Sequence, residues 1–175
     1  GIAGLIFTAW IGWLVVPITQ LHVEAHRAFD KVTQDFTAIL AHIPKAPKLL
    51  YLVVDHHQAP TRRAPWIHLP AYVQALKGGW LSFHFANFGA TPMRYRFQGE
   101  PGADVPPRVP ARWEWMPEIF DVRQHGAYFE WFLIRKEVDP WRLLAADPSI
   151  ELVAREGTWW LYQRGEHAEP PRRRR

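Results

Sequence analysis

"KLLYLVVD" (48–55) carries six apolar residues in a row, Leu49 to Val54, with no polar alternation. A strand that faces water on one side alternates, whereas one covered on both faces reads as a continuous apolar run. The run therefore predicts a central strand of a parallel or mixed sheet with helices packed on both sides. The fold class expected from it is α/β, a small Rossmann-like mixed-sheet sandwich.

Upstream, "PKAP" (44–47) is a turn, and before it Leu21, Ala25, Ala28, Phe29, Val32, Phe36, Ile39, Leu40 and Ile43 recur at helical spacing. His22, His26, Asp30, Lys31, Gln34 and Asp35 fill the other face. One long helix is expected, ending before Pro44. Its beginning, "GIAGLIFTAWIGWLVVPITQ" (1–20), has no charged side chain, and the first one in the chain is Glu24. At about 1.5 Å per residue, residues 1–21 reach roughly 30 Å, the hydrocarbon thickness of a bilayer. Two rivals are a secretory signal and a buried core helix. A signal would show a basic start and a small-residue cleavage site, and a core helix would keep a polar stripe. Neither pattern is present, so the reading is a transmembrane helix over 1–21, with Trp10 and Trp13 as interfacial aromatics in contact with lipid or a partner. Residues 22–43 are then a membrane-proximal stalk helix. A chain that opens at Gly1 without methionine is expected to be processed or to be part of something longer.

Downstream, "HHQAPTRRAPW" (56–66) is a loop leaving the first strand, and "IHLPAYVQALKGG" (67–79) a short helix with proline in its first turn and glycine at its end. "WLSFHFANF" (80–88) and "MRYRF" (93–97) are strand candidates, and the Pro/Gly-rich 98–112 is a loop. "YFEWFLIRK" (128–136) is a second apolar strand. "DPWRLLAAD" (139–147) reads as a helix capped by Asp139. "IELVARE" (150–156), a tight turn at Glu156-Gly157 and "TWWLYQR" (158–164) form a terminal hairpin. The soluble α/β domain is expected over 44–164, and residues 165–175 as a basic tail without fixed structure.

Composition narrows function. No cysteine is present, which excludes disulfides, zinc–thiolate sites and a thiol nucleophile. The formal net charge is +4, and Arg172–Arg175 alone account for it, so the body of the chain is neutral and a nucleic-acid surface is not expected. No catalytic constellation emerges: there is no nucleophile elbow, phosphate cradle or dinucleotide fingerprint, and no cofactor is implied. The sharpest polar cluster is Asp55, His56 and His57 at the end of the first strand, with His68 beyond the loop. These are metal-ligand types at the sheet edge where α/β proteins bind ligands, although a polar loop start has the same appearance. Arg62 and Arg63 on that loop are candidates for a phosphate or carboxylate. His22, His26 and Asp30 form a stripe at i, i+4, i+8, the pattern of a solvated helix face. Ten tryptophans are unusual for this length. Trp113, Trp115, Trp159 and Trp160 are candidate partner contacts. Trp159 and Trp160 must face opposite sides of their strand, so both fit in the core only if both faces are covered.

"FDKVTQDFTAILAHIPKAPKLLYLVVD", "WIHLPAYVQALKGGW" and "YFEWFLIRK…DPWRLLA…IELVAREGTWWLYQR" together resemble the C-terminal extracytoplasmic domain, with its last transmembrane helix, of bacterial multi-pass type C, mannosyltransferase-like membrane glycosyltransferases. The resemblance spans most of residues 28–164. In that class the catalytic carboxylates lie near the start of the multi-helix membrane region, which this chain lacks. No functional residue carries over, and the implied role is accessory, with the domain outside the cytoplasm. The expectation is thus a non-catalytic, single-pass membrane subunit, lodged in lipid, with its Trp-rich domain against other subunits of a respiratory, photosynthetic or envelope complex. Its rivals are an accessory glycosyltransferase domain and a metal or small-ligand binding domain.

Overall fold

The computed structural model describes residues 1–55, 66–83, 104 and 116–165. Its first element is α1, Ile2–Leu40, a single helix of 39 residues that includes Pro17. At about 1.5 Å per residue it is roughly 58 Å long. The backbone N–H groups of Ala41, His42 and Ile43 donate to Ala38, Ile39 and Leu40 at 3.1–3.2 Å. This tighter last turn satisfies the terminal carbonyls before Pro44 ends the helix.

Five strands follow: β1 (Lys48–Val53), β2 (Trp80–Leu81), β3 (Trp131–Arg135), β4 (Ile150–Glu156) and β5 (Trp159–Arg164). They form one mixed sheet in the order β2-β1-β3-β5-β4. β1 is parallel to both β2 and β3, while β5 is antiparallel to β3 and to β4. Between β1 and β2 lies α2 (Ala71–Lys77), closed by Gly78 at φ 73°. A 3-10 turn (Pro117–Ile119), α3 (Val122–His125) and α4 (Trp141–Leu144) complete the described elements. The expected α/β architecture on an N-terminal helix is the observed one.

The central strands are apolar throughout because each face has its own cover. Leu49, Tyr51, Val53, Leu133, Trp159 and Leu161 pack with Phe36, Ile39 and Leu40 of α1, with Ile43, and with Trp66, Leu69 and Val73. On the other face Leu50, Leu52, Phe132, Ile134, Trp160 and Tyr162 pack with Phe120, Val122, Phe129 and Leu144. Alternate residues of one strand thus enter two separate cores. Trp159 and Trp160, expected as contact residues, are interior on this account. Trp159 has its ring 5.0 Å from Phe36 and donates its indole N–H to the Val32 carbonyl at 3.2 Å. Trp160 donates to the Lys136 carbonyl at 2.9 Å, and the Arg155 guanidinium sits 4.2 Å from its ring. Each indole N–H finds a backbone carbonyl acceptor, which is what lets so large a side chain with a polar group lie inside.

Between β4 and β5 the loop residues are Gly157 and Thr158, one position later than the sequence pattern suggested. Gly157 has φ 56° and Thr158 has no positive φ, the signature of a type II′ turn. A Cβ at Gly157 would also meet the Asp35 carboxylate of α1, which would have to swing aside, so the positive φ is the stronger reason for glycine here.

The two ends of α1 differ. Every residue from Gly1 to Glu24 is exposed, and none of the helix's most apolar 18-residue window is buried against the domain. Phe29 and Val32 begin the packing, and Phe36, Ile39 and Leu40 are buried. The N-terminal end is therefore not a core helix of this domain. It is long and apolar enough to cross a membrane.

Candidate functional site at the carboxyl edge of the parallel strands

β1 and β3 run side by side and in the same direction to Val53 and Arg135. Their carboxyl ends form the edge off which open α/β sheets bind ligands. The chain stays tied there: the N–H groups of Val54 and Asp55 both donate to the Arg135 carbonyl, at 3.0 and 3.3 Å. Asp55 in turn accepts a short hydrogen bond from the Glu137 N–H. The carboxylate picked out by the sequence is thus an end clamp between β1 and the chain leaving β3.

Arg135 follows Leu133 by two residues, so it points to the α1 side of the sheet, where it is 6% exposed. Its guanidinium carbon lies 5.1 Å from the centre of the Trp66 ring. Trp66 is itself buried and stacks on Phe29 of α1, with centroids 4.9 Å apart and planes at 15°. The helix that leaves the apolar N-terminal segment is in this way linked to the sheet edge through Phe29, Trp66 and Arg135.

The electrostatics of this place are unusual. Among the described residues, buried Arg135 Nε and Nη1 have no hydrogen-bond partner, and neither has Trp66 Nε1. Among the described residues no carboxylate oxygen comes within 4.0 Å of the guanidinium. Burial pulls the Arg135 guanidinium down from its ordinary range, and the more distant charges of Asp55 and Glu137 partly offset this. Contact with an aromatic face contributes about 0.5–2 kcal/mol, but a ring supplies no lone pair to these N–H groups.

The other candidates are placed as follows. His68 is exposed on the turn before α2, with its ring 6.2 Å from Phe83. Asp55 is engaged at the strand end, and His56 and His57 lie outside the described residues, as do Arg62, Arg63, Trp113, Trp115, the strand candidate 93–97 and Arg172–Arg175. Among the described residues no three His, Asp or Glu side chains converge. His22, His26 and Asp30 are exposed on α1, and Trp10 and Trp13 project from the apolar end of that helix.

An open cleft of about 260 Å³ lies on the far face between Trp141, Leu144, Asp147, Pro148, Ile150 and Tyr162. Its phenol and carboxylate are already paired internally. Tyr162 donates to Asp139 at 3.0 Å, and Asp147 accepts from Ser149 and Arg164. Such a cleft has little left with which to orient a ligand.

Arg135 was not among the residues singled out by sequence. The signal was present: a cation two positions after an inward leucine, closing an otherwise apolar strand. Comparison with protein-family models, with curated proteins and with solved structures finds no match to this chain.

Proposed function

We propose that the chain is a non-catalytic, single-pass membrane subunit whose α/β domain is held at the membrane surface and makes structural contacts in a larger membrane complex. One observation carries this reading. α1 is continuous from an N-terminal end that is exposed and apolar to a C-terminal end packed into the sheet core. In lipid the apolar side chains of residues 2–21 leave water, at about 0.8 kcal/mol per buried CH₂. With no loop between anchor and domain, the domain's orientation follows that of the helix, a geometry suited to presenting a fixed surface to neighbouring subunits. Trp10 and Trp13, exposed on the anchor, suit the interfacial zone or a neighbouring helix. The glycosyltransferase resemblance supports an extracytoplasmic side for the domain.

Extraction of native membranes in mild detergent tests this. The chain is expected to resist removal by alkaline carbonate and to migrate with stoichiometric partners after detergent extraction. Recovery in the carbonate-soluble fraction, or as a clean monomer in detergent, overturns the proposal.

A further inference from the structure

We infer that Arg135 and Trp66 form a binding site for an oxyanion, a phosphate group being the chemistry that fits. The argument starts from what is unsatisfied. A guanidinium that is nine-tenths buried has lost most of its hydration, and removing one charge from water costs several kcal/mol unless a partner returns it. Buried N–H groups in folded proteins nearly always have an acceptor. Here, among the described residues, Nε and Nη1 of Arg135 and Nε1 of Trp66 have none, although the two side chains are in contact. Every unpaired atom of that pair is a donor, so the missing group must bring acceptors and a negative charge.

The nearest acids do not supply it. Asp55 is engaged with the Glu137 N–H, and neither Asp55 nor Glu137 comes within ion-pair distance of Arg135. The location is also the edge where the carboxyl ends of parallel strands meet ligands in α/β folds. The Arg135 and Trp66 donors that meet at this strand end have no acceptor among the described residues, a place suited to a bound anion.

The height above the membrane constrains the source. Phe29, stacked on Trp66, is about 12 Å along α1 from Leu21, at 1.5 Å per residue, whereas the headgroup layer on each side of a bilayer is only about 5–8 Å thick. A free phosphate, or a phosphorylated solute from the aqueous side, reaches this level directly; a lipid phosphate reaches it only if the domain leans toward the surface.

The test uses the full chain, purified in maltoside micelles and separately in phosphatidylcholine nanodiscs with or without phosphatidic acid. Inorganic phosphate is titrated against sodium chloride of matched ionic strength, with thermal unfolding as the readout. A saturable rise in Tm with phosphate is expected, and Arg135→Met should weaken the response at least tenfold. Arg135→Met should fold, because it removes a buried unpaired charge rather than a bonded one, and its Tm in chloride is the control for that. Trp66→Phe keeps the ring face and loses the indole N–H, so it should weaken the response several-fold. Stabilisation only in phosphatidic acid nanodiscs, again lost in Arg135→Met, assigns the phosphate to lipid. If neither phosphate nor phosphatidic acid stabilises the native chain more than Arg135→Met, the site does not exist.

Discussion

Two arginines end two neighbouring strands at opposite ends of the sheet, and their circumstances could hardly differ more. Arg164, at the end of β5, donates to Asp147 at 2.9 and 3.2 Å and reaches the carbonyls of Gly126, Ala127 and Phe129 at 2.6–3.3 Å. It also lies 5.3 Å from the Phe132 ring. Arg135, at the end of β3, has an aromatic face and buried N–H groups without acceptors. Both are largely buried cations stacked on an aromatic ring, so burial and stacking alone do not distinguish them. The difference lies in the acceptors. At the Arg164 end the turn before β3 and the turn before β4 converge on the guanidinium and tie β5 to both. At the Arg135 end the Asp55 carboxylate is taken by the Glu137 N–H, and no acceptor among the described residues reaches the guanidinium. One end is closed by its own chain, and at the other the buried N–H groups have no acceptor among the described residues.

The contrast breaks most visibly at Arg164. Arg164→Ala leaves the Asp147 carboxylate and three carbonyls without their shared donor and should lower stability by about 3–5 kcal/mol, measured by urea unfolding of the full chain in micelles. A loss below about 1 kcal/mol would make the two ends equivalent. Arg135→Met should have the opposite sign in the absence of anion, neutral to more stable, because it removes a buried charge whose lost hydration costs several kcal/mol. A loss of that size would mean that the native chain already compensates Arg135. Asp147→Asn keeps the shape and weakens the charge-assisted bonds to Arg164, for about 1–3 kcal/mol.

The smallest effect is in pH. Burial alone would push the Asp147 carboxyl up, but hydrogen bonds from Ser149 and Arg164 and the Arg164 charge outweigh it, and the group is held below its usual range. Its folded value is thus below its unfolded one of about 3.9. The stabilisation is present above that unfolded value and declines as pH falls through the lowered folded value. Acid unfolding curves should therefore steepen below about pH 4, and Asp147→Asn should flatten that limb. An unchanged limb would remove Asp147 from the acid response.

Much of the architecture was legible because it rests on local rules. The continuous run 49–54 became a strand covered on both sides, helical spacing from Leu21 to Leu40 became α1, and Gly78 stopped α2. The terminal hairpin is where it was expected, with its loop shifted to Gly157–Thr158 because a positive φ is needed at the first loop position. Trp159 and Trp160 went the other way. Their opposite orientation was readable, but their burial depended on two different covers, α1 on one face and the segments around α3 and α4 on the other. Asp55 was readable as a strand-end polar group, and its use by the Glu137 N–H was not, since that donor arrives from another strand.

The sequence by itself determined a long helix with an apolar beginning, a buried central strand and a hairpin end, because periodicity and turn chemistry act over a few residues. Only the tertiary structure decided which polar groups are satisfied. Whether a buried arginine finds an acceptor depends on the carbonyls and carboxylates that distant segments bring within about 3 Å of it. That convergence closes the sheet at Arg164 and, among the described residues, leaves the buried Arg135 without an acceptor.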